Sequence, residues 1–277
     1  MQIDAHQHFW LYNALEYAWI DNSMATLRRN FLPNDLAVEL KSAGFDGSIA
    51  VQARQSLEET RWLLELAGKS ASIVGVVGWI DLQAPDVRSQ LKPLVHNPKL
   101  VGVRHIVQSE PDEGFLLRPD FLRGISILEE FDLAYDLLIY TQHLPVAIEF
   151  VQKFPRQRFV VDHLAKPPIK GAKLDSWAQG FRDLAKFPNV HCKVSGLVTE
   201  ADWQGWTPDQ IRPCLDAAFE SFGPERLMIG SDWPVCLVAA SYTTVIQLAR
   251  DYIAARSPQS LSAVLGGNAA RFYGLRF

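Results

Sequence analysis

Apolar, β-branched segments recur along the chain at 3–5, 48–51, 73–80, 100–103, 133–139, 159–161, 190–194 and 227–229. They are short, rich in Val and Ile, and almost continuously apolar, which is the pattern of strands buried on both faces. Segments with helical periodicity run between them. The stretch 33–44 opens on Pro33 and closes on Gly44, a proline at a helix start and a glycine at its end. Patterns at 57–67 (closing on Gly68), 121–131, 143–154, 174–187, 208–222 and 242–255 continue the alternation, and 263–273 predicts a final short helix. Strand and helix alternating about eight times in 277 residues is the rhythm of a (β/α)8 barrel. The alternative, an open doubly wound sheet, usually carries a Gly-rich turn after its first strand. This chain has His6-Gln7-His8 there instead. An α/β fold, a (β/α)8 TIM barrel forming a single domain over 1–277, is therefore expected. The first connection, from Phe9 to Pro33, is long and aromatic. Such a loop often forms a lid or wall over a catalytic mouth.

Composition narrows the partners. Hydrophobic residues make up 48% of the chain and the formal net charge is -4. That is enough apolar material for a large core, and no basic patch points to nucleic acid or an anionic membrane. The longest apolar runs are strand length, so no membrane span is expected, and the N-terminus has no basic and apolar leader. Cys192, Cys214 and Cys236 are odd in number and spaced for neither a zinc knuckle nor a redox pair. They read as reduced core thiols of a cytoplasmic protein. A small molecule is the expected partner, and the sequence carries no signal for oligomeric state.

In a barrel all strands end at one face, where chemistry gathers, so strand ends can be read as a candidate site. Side chains two apart on a strand share a face, so His6 and His8 should aim two imidazoles into one space. The later strands end in Gln52 and Arg54, Trp79 and Asp81, Arg104 and His105, Asp136 to Tyr140, Asp162 and His163 (with Lys166 beyond), Lys193 and Ser195, and Asp232. Of the 7 histidines, His96 and His191 alone fall away from this rim. Such clustering points to an enzyme.

The ordered set "DAHQHFW", "GWIDL", "GVRH", "VVDHLAKP" and "IGSDWP" resembles the amidohydrolase superfamily over the whole chain. Within it, the set is most similar to the branch of sugar lactonases (L-fuconolactonase, L-rhamnonolactonase) and 2-pyrone-4,6-dicarboxylate lactonase. The resemblance implies hydrolysis of a sugar-acid lactone to the aldonic acid. Asp232 would activate water, and His6, His8 and His163 would polarise the carbonyl. Trp79, Arg104, His105 and Lys166 would hold the substrate, with Arg54 and Asp81 as further contacts. Arg104 could equally be an ion-pair partner of Asp136 or Asp81, and Lys166 a surface residue before the Pro-Pro turn.

Two-metal members of the superfamily carry a modified lysine on the fourth strand and a histidine on the fifth. This chain has Arg104-His105 and no histidine inside the fifth run, so a binuclear site is not expected. One Zn²⁺ on His6, His8 and Asp232 is chemically reasonable, and a lactone, being an activated ester, also permits metal-free catalysis. The cations Arg54, Arg104 and Lys166 are few for a dicarboxylate. Trp10, Trp79, Trp233, Asp81 and Gln52 suit a polyhydroxylated ring, which favours a sugar lactone over a pyrone dicarboxylate. Three alternatives stay open: a metal-dependent decarboxylase of the same superfamily, a 2-pyrone-4,6-dicarboxylate-type lactonase, and a non-catalytic barrel that binds a sugar acid.

Overall fold

A strand of three to six residues that is apolar on both faces must find its backbone partners in neighbouring strands and its cover in helices. The computed structural model, which describes residues 1–276, shows that solution. Phe277, the last residue of the expected domain, lies outside the described residues. Strands β1 (Ile3–Gln7), β2 (Gly47–Val51), β3 (Ile73–Gly78), β4 (Leu100–His105), β5 (Ala134–Leu137), β6 (Phe159–Val161), β7 (Val190–Val194) and β8 (Leu227–Ile229) form one parallel sheet in sequence order. The sheet closes where Gln7 bridges Trp233, with the His8 N–H donating to the Trp233 carbonyl at 2.7 Å and the Asp232 N–H to the His6 carbonyl at 2.8 Å. This is the TIM barrel that the alternation predicted.

Helices α1 (Pro33–Ala43), α2 (Leu57–Lys69), α3 (Val87–Leu91), α4 (Pro119–Glu130), α5 (Leu144–Lys153), α6 (Asp175–Ala185), α7 (Pro208–Phe222) and α8 (Tyr242–Arg256) surround the strands, and α9 (Asn268–Tyr273) ends the chain. Leu63, Ile125, Phe150, Phe181 and Ile246 of these helices share one buried layer with Val76, Val103, Leu137, Phe159 and Ile229 of the strands. A second, smaller apolar cluster joins Ile3, Ala5, Ile49, Val51, Val77, Val160 and Met228 to Ala269, Phe272 and Tyr273 of α9. The last helix therefore stoppers the lower end of the barrel.

Some boundaries differ from the pattern. Helix α2 continues through Gly68 to Lys69, with the Ser70 N–H reaching the Leu66 carbonyl at 2.9 Å. A solvent-side glycine costs a helix only about 1 kcal/mol, too little to stop it. Helix α3 is too short to show periodicity. The expected 263–273 helix is broken into a wide turn, Ala263–Gly267, followed by α9. At Gly266 a Cβ would lie 2.6 Å from the Met1 carbonyl oxygen, so the start of the chain packs where a regular helix would have run.

The 9–33 connection does reach the mouth. It is fixed by the Trp10–Phe31 bridge, by the Trp10 indole donating to the Arg29 carbonyl at 2.9 Å, and by a 2.8 Å ion pair between Glu16 and Arg54. Among the described residues no helix is long and apolar enough to cross a membrane.

Candidate active site

Strand β1 supplies the first two imidazoles. The side chain of Asp4 is turned outward and bonds the Ser231 N–H and hydroxyl at 2.9 and 2.6 Å. Ala5 faces the barrel interior, and simple alternation would then turn His6 outward. The β1–β2 register instead shifts between Asp4 and Gln7, and such an irregularity re-aims side chains. His6 swings inward, and its Nε2 lies 3.2 Å from Nε2 of His8. His8 Nδ1 lies 2.8 Å from the Val51 carbonyl, which can only accept. Nδ1 therefore carries the proton and Nε2 offers a lone pair to the centre.

Asp232 follows β8 in a left-handed conformation, φ 57°. Its Oδ1 is 3.4 Å from His8 Nε2 and 3.8 Å from both His6 Nε2 and His163 Nε2. Burial alone would raise the Asp232 carboxyl, but the surrounding imidazoles of His163, His8 and His6 outweigh it and hold it below the usual carboxylate range. It is thus ionised at neutral pH. Burial pushes His163 down to about 4 against the pull of Asp232 and Asp162, so this imidazole is neutral there.

His163 is delivered by an unusual turn in which residues 163–166 all have φ between 51° and 55°. L-residues avoid this region at about 1–2 kcal/mol each, and such strain persists where surrounding contacts over-determine it. Here the Lys166 N–H bonds the His163 carbonyl at 2.8 Å, the Trp177 indole bonds the Leu164 carbonyl at 2.7 Å, and His163 Nδ1 meets the Ser195 hydroxyl at 2.8 Å. Gly196 (φ +63°) makes room: a Cβ there would sit 2.5 Å from His163 Nδ1. Gly196→Ala is expected to displace the ring and lower kcat about 10- to 100-fold with the fold retained. Steady-state kinetics beside circular dichroism would check this.

Beneath the imidazoles lies a buried charge network. Arg104 donates from Nη1 to Asp162 at 2.9 Å and lies 3.3 Å from His6 Nε2, while its Nη2 reaches the Gln52 side chain at 3.1 Å. Lys193 is fully buried and contacts Asp136 at 2.5 Å, Asp162 at 3.0 Å and His6 Nδ1 at 3.2 Å. Tyr273 donates to Asp136 at 2.9 Å. Burial, helped by Lys193, holds His6 well below the ordinary histidine range despite Asp162.

These groups floor a cavity of about 450 Å³, lined by His8, Arg104, His163 and Asp232 and walled by Gln108, Ser109, Tyr140, Lys166, Glu200 and Trp203. Trp19 and Met24 of the first loop and Val235 and Val238 beyond β8 also line it. Burial would lower the Lys166 ammonium, but Glu200 at 3.1 Å, with Tyr140 and Asp232, raises it instead.

The structure brings His6, His8, His163 and Asp232 together and sets Arg104 and Lys166 at the cavity. It does not bring Arg54, Trp79, Asp81 or His105 there. Adjacent strand residues face opposite ways. With Arg104 turned inward, His105 points outward, stacks on Phe115 at 4.6 Å, and bonds Glu110 at 2.6 Å and the Trp79 indole at 3.3 Å. Asp81 accepts the Gln83 N–H at 3.1 Å and so shapes a turn. Arg54 pairs with Glu16. Trp10 and Trp233 are buried around Phe31, at 5.4 and 5.2 Å. Among the described residues, the Trp and Tyr side chains that line the cavity are Trp19, Tyr140 and Trp203. Arg104 is an ion-pair partner after all, although its partner is Asp162.

His6 Nε2, His8 Nε2 and Asp232 Oδ1 are mutually separated by 3.2, 3.4 and 3.8 Å. Donors around one tetrahedral zinc at its usual bond lengths lie about 3.3 Å apart, so this trio fits a single metal. A second grouping, His6 with Asp162 and His163, does not fit one, because both Asp162 oxygens already face the fixed cations Arg104 and Lys193.

The amidohydrolase family model matches residues 3–275. The chain belongs to the amidohydrolase family. It is 43% identical to the L-fucono-1,5-lactonase of Burkholderia multivorans over 99% of this chain and 96% of that protein. It is 36% identical to the L-fucono-1,5-lactonase of Burkholderia ambifaria over 98% and 95%. A crystal structure of an amidohydrolase from B. multivorans with bound zinc is similar at TM-score 0.93 and 44% identity, with both chains fully covered. The family is the one that the motif set resembles.

Proposed function

We propose that this amidohydrolase opens a sugar-acid lactone of the L-fucono-1,5-lactone type to its aldonic acid. The observation that carries the reading is the meeting of three imidazoles around Asp232 Oδ1 at the floor of the cavity. The names of the relatives at 43% and 36% identity support it.

Water attacks the lactone carbonyl carbon, and Asp232, ionised and buried, takes its proton. His163 is neutral and receives a hydrogen bond at Nδ1 from Ser195, which leaves its Nε2–H to donate to the oxygen that gains charge. The C–O bond of the ring then breaks, and the ring oxygen leaves as the hydroxyl of the open acid, taking the proton that Asp232 had accepted from water and restoring its carboxylate. Arg104, fixed by Asp162 and Gln52, adds positive potential beneath the reacting centre. His6, His8 and Asp232 would hold a zinc ion, which when bound supplies Lewis-acid polarisation. A cytoplasmic setting fits the three buried, unpaired cysteines.

Among the described residues, the cavity's two cations are both paired, Arg104 with Asp162 and Lys166 with Glu200. A neutral polyhydroxylated ring suits such walls better than a pyrone dicarboxylate, which calls for free cations. The decarboxylase alternative rests on structures of 14% identity, a likeness of fold alone.

A pH-indicator assay against a panel of sugar lactones, run with added zinc and after chelation with metal content measured, tests the proposal. Acid release from an L-fucono-type lactone is expected, with none from 2-pyrone-4,6-dicarboxylate. A protein that turns over no lactone in either metal state would end it.

A further inference from the structure

Lactone hydrolysis has an electrostatic consequence. A neutral ring enters the cavity and a carboxylate anion must leave it. At the floor, Asp232 repels that anion, and Arg104 is only 3% exposed with its guanidinium held by Asp162 and Gln52. Lys166 is different. It projects from the left-handed turn after β6 into the cavity wall, its ammonium 5.3 Å from the centre of the Tyr140 ring. Left alone, it would be, among the described residues, the one Lys or Arg of the cavity with no carboxylate in contact, and charge pairs are strengthened where water is largely excluded. Glu200, on the turn after β7, meets it at 3.1 Å, with the two side chains only 17% and 20% exposed. Both also line the cavity. This carboxylate belongs to none of the motif segments at the strand ends, and the chemical steps above do not use it.

We propose that Glu200 determines specificity by cancelling Lys166, so that the cavity accepts a neutral polyhydroxylated lactone, refuses dicarboxylates and lets the aldonate product go. The inference rests on the lactonase reading. Hydrogen-bonding capacity survives the neutralisation: the ammonium has three N–H donors and spends one on Glu200, and the carboxylate keeps an oxygen to accept from a hydroxyl. The pair can therefore hold a diol without holding an anion.

The test is calorimetric binding of two non-hydrolysable probes, galactonate (a monoanion) and galactarate (a dianion), to the wild type, Glu200→Gln and Glu200→Gln/Lys166→Gln. Glu200→Gln is expected to bind galactonate about tenfold more tightly, and galactarate with a larger gain. Both gains should shrink at high salt and vanish in the double variant. In lactone progress curves the single variant should show stronger product inhibition, with kcat falling more than kcat/KM. Unchanged anion affinity in a folded Glu200→Gln protein would overturn the proposal. So would a gain that persists without Lys166, since a merely structural ion pair gives no Lys166-dependent gain in anion binding. Glu200→Ser carries the same expectation should the glutamine variant fail to fold. Calorimetry needs no turnover, so a wild type inert to every lactone would defeat the lactonase reading while this measurement still reports on the ion pair.

Discussion

Asp232→Asn is expected to lower kcat on the responsive lactone by about three orders of magnitude, with the circular dichroism spectrum and melting temperature close to wild type. Asparagine keeps the shape and the contacts of a short side chain but cannot accept the proton of water. Loss of a positioned base typically costs about 10²–10⁴ in rate. The substitution also removes the only carboxylate of the three groups that would hold zinc, so metal content measured on the same preparations should fall. Three imidazoles that would remain around a neutral amide keep the cavity's shape, which is why substrate affinity should change far less than turnover. The spontaneous hydrolysis of the lactone sets the lower limit of the measurement. A variant that retained activity within tenfold of wild type would show that the proton goes elsewhere.

Lys193→Met is expected to be the most destabilising single change in the barrel interior. The ammonium is fully buried between Asp136, Asp162 and His6, with the Tyr273 ring centre 5.6 Å away. Methionine replaces the alkyl stem but not the terminal ammonium, and strands two carboxylates with only Arg104 to balance them. Removing one partner of a buried ion pair costs about 3–5 kcal/mol, or roughly 10 °C in melting temperature for a chain of this size. Lys193→Met/Asp136→Asn should recover part of the loss. The sign with pH follows from Asp136. Burial and the charge of Asp162, opposed by Lys193, already push its carboxyl up to about 6. A carboxyl raised on folding is most compatible with the native state when protonated, and stability falls as pH rises from its unfolded value through its folded one. Without Lys193 that penalty grows, so the deficit should be wider at pH 8 than at pH 5. Thermal melts at both values, compared with wild type, decide it, and equal stability at pH 8 would refute the ion-pair account.

The barrel was legible because parallel strands covered on both sides leave a repeated signature of short Val- and Ile-rich runs. The strand-end positions of His6, His8, His163 and Asp232 followed from the same frame. What the frame did not reveal was which way each neighbouring side chain points. Arg104 and His105 both look like mouth residues until the alternation of β4 turns one inward and the other onto Phe115. The irregularity in β1 that brings His6 inside has no local marker in Ile3-Asp4-Ala5. Lys193 did carry a signal, since a lysine within Val190-His191-Cys192-Lys193-Val194 needs a buried counter-charge, but identifying Asp136 and Asp162 requires the closed sheet. Glu200, Trp203 and Trp19 stand on connections, where no periodicity constrains orientation, and only the folded chain assigns them to the cavity.

Barrel enzymes are commonly described as divided, with durability governed from one rim and reactivity from the other. The Tyr273 hydroxyl breaches that division. It bonds Asp136, Asp136 grips Lys193, and Lys193 touches the ring of His6. A directed-evolution library confined to the terminal helix, screened for heat resistance alone, would therefore also be sampling turnover.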